Sequence, residues 1–422
     1  LVFMPTEQDI RETCEIIEGG VGPGVQVLPL FSRLAGAEQQ KIFQTGRGRK
    51  IVVATNVAET SITIPGIRYV VDTGLARIPR YLPRSRTTAL PVVPISQSSA
   101  DQRMGRCGRV QNGVCCRLYA EEDYHSRPRF TPPEILRANL AEVILRMIDL
   151  GLGDIDRFPF IDAPPAASVK DGYRLLLELG AIAENPRRKD APPGAGLPSP
   201  RYRLSRRGRL MASLPVDPRL ARMLLEAEQE GALKEVLVAA AALSMADPRE
   251  RPADQADAAD AAHGRFRHPA SDFLTLLKIW DAFSGAGQTM GKSRLKRYCR
   301  QHFLSFRRMR EWQDLHGQLL AEVQEAGLGN RSAASPKKNE TLGDPDEDRY
   351  GSIHRAIASG FLSGIALRKR GPIYQAAQGR EAMLFPGSSL FAEPPEWIVA
   401  AEMVETSRLF ARNAARIDGR WL

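Results

Sequence analysis

Ile51-Val52-Val53-Ala54-Thr55-Asn56-Val57-Ala58-Glu59-Thr60-Ser61-Ile62-Thr63-Ile64-Pro65-Gly66 passes from a β-branched run straight into a segment dense in Thr, Asn and Ser. A short apolar run of this kind reads as a buried strand, and the carboxyl end of such a strand is where open parallel sheets place their ligands. Small hydroxyl and amide side chains at that point suit phosphate oxygens better than base edges. A capped loop explains Thr55 or Asn56 singly; it does not explain the whole density.

Further strands are predicted outward from this stretch at residues 1–4, 25–30, 69–71 and 114–119. Thr6 caps a helix whose apolar residues Ile10, Cys14 and Ile17 fall at i, i+4 and i+7. Alternation of this type is the βαβ pattern of a parallel α/β sheet, assigned to residues 1–121. Beyond it the pattern turns helical, at 135–150 and 169–179, and a Pro/Gly-rich stretch at 186–200 precedes Tyr202-Arg203-Leu204-Ser205. Helices followed by a polar hairpin predict a winged-helix module over 122–218, with 186–200 as an extended wing or loop. Residues 219–326 read as an all-α domain broken near 247–264, where Pro, Asp and Ala dominate. A linker is expected over 327–349, with Asp346-Glu347-Asp348 as a charge cluster inside it. From 350 to 422, apolar patches at 361–367, 373–376, 382–385 and from Trp397 onward fit a small β-barrel. No internal repeat is present.

At 422 residues, with 43% hydrophobic and 26% charged, the chain is neither a single small domain nor largely disordered. Its longest apolar stretch, around residues 236–243, falls far short of the roughly 18–20 needed to span a bilayer, so no membrane segment is expected. The opening Leu1-Val2-Phe3-Met4-Pro5 reads as a piece of a larger polypeptide. Cys14, Cys107, Cys115, Cys116 and Cys299 are an odd set without C-x-x-C spacing, which suggests a reducing cytoplasm. No Cys/His cluster predicts a protein-held metal.

A net charge of +10 favours a polyanionic partner. Seven arginines (Arg77, Arg80, Arg84, Arg86, Arg103, Arg106, Arg109) face only Asp101 between positions 77 and 109, and eight Lys and Arg residues without an acid lie between 292 and 310. The sharpest signal is Gln102-Arg103-Met104-Gly105-Arg106-Cys107-Gly108-Arg109. If the segment is helical, three arginines at spacing three share one face, and each glycine costs about 1 kcal/mol relative to Ala. Close approach to a phosphate would offset that cost, since Arg offers a planar fork of donors and keeps its charge.

At these two stretches, and at Leu1-Val2-Phe3-Met4-Pro5-Thr6, the chain resembles motifs IV, V and VI of the DEAH-box ATP-dependent RNA helicases of superfamily 2, in particular the bacterial HrpA type. Arg310-Glu311-Trp312-Gln313-Asp314, and Phe385-Pro386-Gly387-Ser388-Ser389-Leu390-Phe391 on to Arg408, resemble the later domains of that family. The resemblance implies a second RecA-like domain, a winged helix, a helical ratchet domain and a truncated OB-like domain. It further implies that Gln102, Arg106 and Arg109 grip the β- and γ-phosphates of ATP, the two arginines serving as fingers. Thr55 and Asn56 are implied to hold the RNA backbone, Ser61 and Thr63 to face the nucleotide, and Phe43 to stack on adenine. Residues 77–96, with Arg80 and Arg84, correspond to a β-hairpin that separates strands or keeps RNA in register. ATP and Mg²⁺ are the implied cofactors, held mainly by a first RecA-like domain of the same polypeptide. RNA is the implied partner, and a cytoplasmic monomer is expected.

Met104 and Cys107 stand where the family usually has Ala, and Pro65 where many eukaryotic relatives carry Asp. Neither a Walker A sequence after a strand nor D-E-A-H occurs in the chain. Ala286-Gly287-Gln288-Thr289-Met290-Gly291-Lys292-Ser293 fits a loose P-loop pattern, but Phe273, Leu276, Leu277, Trp280 and Phe283 before it follow a helical period, so a helix–helix connection is predicted there. The second basic run is interleaved with Tyr298, Phe303 and Phe306, which could stack along a single strand but at helical spacing are read first as core. The chain alone is therefore expected to bind RNA with strong salt dependence and to hydrolyse no ATP. The alternatives are a non-catalytic RNA-binding adaptor and a DNA-directed helicase.

Overall fold

A computed structural model describes residues 1–32, 34, 36–44, 48–60, 62–109, 111–185, 201–329, 342–406 and 408–422. The expected wing or loop at 186–200 lies outside the described residues. The chain divides into two compact units, one built of residues 1–80, 90–133 and 250–256, the other of 81–89, 134–249 and 257–422.

The first unit carries β1 (Val2–Phe3), α1 (Glu7–Gly20), β2 (Val25–Leu30), α2 (Gly36–Lys41), β3 (Arg49–Ala54), α3 (Val57–Thr60), β4 (Tyr69–Asp72) and β5 (Leu75–Arg77). After the hairpin strands β6 (Arg80–Leu82) and β7 (Thr87–Ala89) come β8 (Val92–Pro94), α4 (Gln97–Met104), β9 (Val114–Arg117) and α5 (Glu121–Ser126). Five strands form a parallel sheet in the order β2-β3-β1-β4-β9. Phe3, Val52, Val53 and Ala54 are fully buried in it, as expected of strands covered on both faces. Thr6 caps α1 as expected, its hydroxyl accepting from Asp9 N at 3.1 Å.

The second unit begins with α6 (Ala141–Asp149), α7 (Ala166–Glu178), the antiparallel ribbon β10 (Ile182–Glu184) and β11 (Tyr202–Leu204), and α8 (Arg206–Ser213). The helix expected from 135 starts only at Ala141, because Asn139 Oδ1 takes the Ala141 N–H at 2.8 Å and a short 3₁₀ turn occupies Glu134–Leu136. Then follow α9 (Pro218–Gln229), α10 (Leu233–Leu243), α11 (Ala256–Gly264), α12 (Asp272–Thr289), α13 (Lys292–Gln301) and α14 (Phe306–Glu325). The break expected over 247–264 ends at Ala256, since its alanine-rich half favours helix. Residues 286–289 close α12 and Gly291 precedes α13, so the P-loop-like sequence is the predicted helix–helix connection. Tyr298 and Phe306 pack against the helical core.

The linker expectation needs correction at its carboxyl end. Asp346 accepts from Arg349 N at 2.8 Å and caps α15 (Glu347–Gly360), with Glu347 and Asp348 in its first turn. Gly343 N donates to Asp281 Oδ2 at 3.0 Å, and Lys278 pairs with Asp344 at 2.7 Å. The exposed acids at the start of α15 thus offset the helix dipole. Beyond α15, β12 (Ile365–Arg370), β13 (Ile373–Ala376), β14 (Glu381–Leu384), β15 (Trp397–Glu405) and β16 (Leu409–Arg416) run in the order β12-β13-β14-β16-β15. Pairing of β12 with β15 closes these five into a barrel.

His354 of α15 is fully buried. Its Nδ1 lies 2.7 Å from Tyr350 O, which can only accept, so Nδ1 carries the proton and Nε2 accepts from Ser271 Oγ at 2.8 Å. Burial, against the Tyr350 carbonyl, holds its pKa down at about 3. The folded value lies below the usual one near 6.5, so the neutral ring's stabilisation is complete above about pH 6.5 and is lost as pH falls toward the folded value. Urea unfolding of wild type between pH 6.5 and 4.5 is expected to lose up to roughly 1.4 kcal/mol per pH unit from this group. In His354→Leu that part of the slope disappears; an unchanged slope would refute the assignment.

Candidate functional site

Ser96 caps α4 by accepting from Ser99 N at 3.2 Å, and the helix ends at Met104, with Gly105 N donating to Asp101 O at 2.8 Å. The three arginines of 103–109 therefore do not share one helical face, and neither glycine lies in a helix interior. The cost reckoned on a continuous helix does not arise. An added Cβ at Gly108 meets nothing within 4 Å, so nothing inside the chain requires glycine there.

Arg103 turns inward and is 0% exposed. Its Nη1 donates to Asp72 Oδ1 at 2.7 Å, its Nε to Glu59 Oε2 at 3.1 Å and its Nη2 to Leu75 O at 3.2 Å. The guanidinium also lies 4.7 Å from the centroid of the Phe3 ring. Asp72 further accepts from Gly74 N at 2.9 Å and Tyr119 Oη at 3.0 Å, and Glu59 from Ser99 Oγ at 2.5 Å. Reading the chain as a row of arginines missed this network. The signal for it was Asp72, an acid closing an apolar strand, together with Glu59 inside the motif V stretch.

The other two arginines leave the helix and return to the segment after β3. Arg106 Nη1 donates to Ile62 O at 3.0 Å and Nη2 to Glu59 O, while its buried Nε has no partner among the described residues. Burial, and then the neighbouring Arg109, pull its pKa below the usual guanidinium value, with Glu59 opposing. Arg109 Nη1 donates to Thr63 Oγ1. Thr55 is half-buried and Asn56 exposed where β3 turns into α3; Thr55 N donates to Leu30 O at 3.1 Å, and Glu59 N to Asn56 O at 2.9 Å. Gln102, Thr63 and Arg109 are exposed. Thus Arg106, Arg109 and Thr63 come together, with Thr55 and Asn56 earlier in the same segment. Ser61 lies outside the described residues.

Phe43 follows α2 and is 42% exposed, so it is not a core residue. Arg80 and Arg84 are exposed, whereas Arg86 is drawn into ion pairs with Asp171 and Glu178. The arginine run from 77 to 109 is therefore not one polyanion-facing surface, since Arg86 and Arg103 are consumed internally. Among the described residues no group of three His, Cys, Asp or Glu side chains could hold a metal ion, and none of the helices is long and apolar enough to cross a membrane.

Residues 1–111 match the description "Helicase conserved C-terminal domain", residues 217–276 "Helicase associated domain (HA2), ratchet-like", and residues 353–422 "Oligonucleotide/oligosaccharide-binding (OB)-fold". The chain is 46% identical over 423 residues to ATP-dependent RNA helicase HrpA of Escherichia coli K12, covering all of this chain and 31% of that protein. The HrpA homolog of Haemophilus influenzae is 45% identical, with the same 31% covered. Human "Probable ATP-dependent RNA helicase DHX35" is 34% identical over 417 residues, covering 98% of this chain and 54% of that one. The chain thus spans about a third of the length of the two bacterial relatives and about half of the human one.

Removing the cation from a buried ion pair strands the acid it met. Arg103→Met is expected to cost the first unit about 3–5 kcal/mol, read as a fall in the denaturant midpoint. The additional substitution Asp72→Asn should recover part of that loss. A cost of Arg103→Met below about 1 kcal/mol would show the network to be dispensable.

Proposed function

The chain belongs to the DEAH-box helicases of the HrpA type, and from that premise we propose that it forms the carboxyl-side part of an ATP-dependent RNA helicase. The parallel-sheet unit is the second RecA-like domain. The module of α6, α7, β10, β11 and α8 is the winged helix, and the helices from α9 to α14 are the ratchet. The observation that carries the reading is the return of Arg106 and Arg109 to the segment after β3, beside Thr63.

Two guanidiniums held at the carboxyl end of a parallel sheet suit the charge that develops on a transferring phosphoryl group. Arg109 and Gln102 are open to solvent, and the space beside Gly108 admits close approach. We assign Gln102, Arg106 and Arg109 to the phosphates, Ser61 and Thr63 to the nucleotide side of motif V, and Phe43, whose ring is exposed, to the adenine. Thr55 and Asn56 are assigned to the RNA backbone, with Arg80 and Arg84 as phosphate contacts of the hairpin. Mg²⁺ does not fit the described residues, which bring no acid cluster together. It is assigned to a first RecA-like domain of the full-length polypeptide.

Hydrolysis then depends on two domains closing on one nucleotide, this chain contributing positive charge and the motif V segment. Because Glu59 and Thr63 belong to that same segment, a change at the phosphates reaches Thr55 and Asn56 within a few residues. Full-length protein is expected to hydrolyse ATP in response to RNA, and Arg109→Ala to lower that rate at least about a hundredfold. This chain alone should hydrolyse none. An intact rate in Arg109→Ala would remove the finger assignment, and a full-length protein inert toward ATP with RNA present would favour an RNA-binding adaptor.

A further inference from the structure

Residues 81–89 of the hairpin pack with the carboxyl-side unit, although the chain before and after them belongs to the parallel-sheet unit. Two strands of three residues cannot hold themselves in water, so the hairpin's position is set by what it touches. On one side β7 runs parallel to β15, Thr88 opposite Val404 and Ala89 opposite Glu405. Arg380 reinforces that side, donating to Thr87 Oγ1 at 3.3 Å and to Glu405 Oε2 at 2.8 Å.

On the other side the contact is ionic, shielded at Asp171 and more open at Glu178. Arg86 Nε donates to Asp171 Oδ1 at 2.9 Å and Nη1 to Glu178 Oε2, both acids lying on α7. Asp171 Oδ2 accepts in addition from Tyr81 Oη at 2.8 Å, so one carboxylate receives β6 and the turn residue that precedes β7. The side chains of Arg86 and Asp171 are 9% and 6% exposed. Tyr81 N donates to Arg137 O at 2.8 Å. Arg86 itself has φ 51°, a left-handed backbone that a non-glycine residue keeps only when its surroundings fix it. Between Tyr81 and Arg86 lies the tip, with Arg84 exposed and Leu82, Pro83 and Ser85 half-buried.

We propose that Asp171 and Glu178 are positioning residues, and that their ion pairs with Arg86 fix the hairpin tip where strand separation takes place. They touch neither nucleotide nor RNA. The latch turns ATP turnover into displaced strand by denying the tip freedom to yield. The proposal rests on the helicase reading above.

The test uses the full-length protein and Arg86→Asn, since Asn tolerates the left-handed backbone and removes the guanidinium without adding strain. Amide exchange within residues 81–89 is expected to rise about tenfold or more. RNA strands displaced per ATP hydrolysed should fall about fivefold, the size of a coupling of about 1 kcal/mol, while RNA-stimulated hydrolysis stays within about twofold. Arg86→Lys, which restores a cation toward the two acids, should recover much of the displacement per ATP. Unchanged exchange would show that the latch does not anchor the hairpin. Raised exchange with an undiminished yield per ATP would show that its position does not matter, and parallel loss of both activities would reduce the residue to a structural one. A wild-type protein that hydrolyses ATP without displacing RNA would overturn the helicase reading and the positioning role with it, leaving exchange to decide the anchor alone.

Discussion

Taking a guanidinium out of water costs several kcal/mol unless carboxylates meet it in good geometry, and Arg103 meets that condition by drawing on four elements at once. Phe3 of β1 supplies a ring face, Glu59 of α3 and Asp72 of β4 supply charge, and Leu75 of β5 supplies a carbonyl. This one side chain fixes α4 against the carboxyl end of the sheet. Arg106 and Arg109 lie within six residues of that pin, which is why both reach the segment from Glu59 to Thr63. Glu59 serves twice, its carboxylate taking Arg103 and Ser99 and its carbonyl taking Arg106. With Arg106 on Ile62 O and Arg109 on Thr63, the loop after β3 and the loop after α4 are joined at several points, and a displacement of either is felt by the other.

The carboxyl-side unit uses the same device at its own junctions. Asp272, opening α12, accepts from Ser388 Oγ and Ser389 N at 2.7 Å each and from Ala414 N at 2.9 Å. That gives the Pro386-Gly387-Ser388-Ser389 turn a structural purpose. Arg349 of α15 pairs with Glu235 of α10 at 2.7 Å, and Gly360 lies so close to α9 that a Cβ there would sit 2.3 Å from Arg219 O. One hydrophobic core runs from Leu140 through the helices to Val399, Ala401 and Ala415 of the barrel. The ratchet-like and OB-fold matches cover separate stretches of sequence, yet their residues share that core.

The parallel sheet was legible because its strands are apolar runs bounded by turns, and the residue set of the arginine site because its motif is dense. The direction each side chain takes was not. Arg86, Arg103, Arg106 and Arg109 look alike in a charge count, but two are buried in ion pairs and two rest on a loop. Only the placement of Asp72, Glu59, Asp171 and Glu178 separates them, and those acids lie 31 to 92 residues away from their partners. Asp346 failed for the opposite reason, since a cluster of acids reads equally as linker or as helix start until the helix behind it is seen. At Ala256 the alanines were read as part of a break, though their propensity already favoured α11.

Arg106 and Arg109 rest on neutral oxygens, the carbonyls of Glu59 and Ile62 and the hydroxyl of Thr63. That choice of partner matters for the proposed chemistry. A phosphate brings a full opposite charge to the guanidinium, which a carbonyl or hydroxyl oxygen does not, so a phosphate can displace these oxygens, whereas it could not easily draw Arg103 from the carboxylate of Asp72. Arg103 is thus held by carboxylates and shapes the fold; Arg106 and Arg109 are oriented by neutral oxygens. Held in advance, the available pair requires little reorganisation when negative charge develops, which is the condition under which electrostatic stabilisation of a transition state is largest.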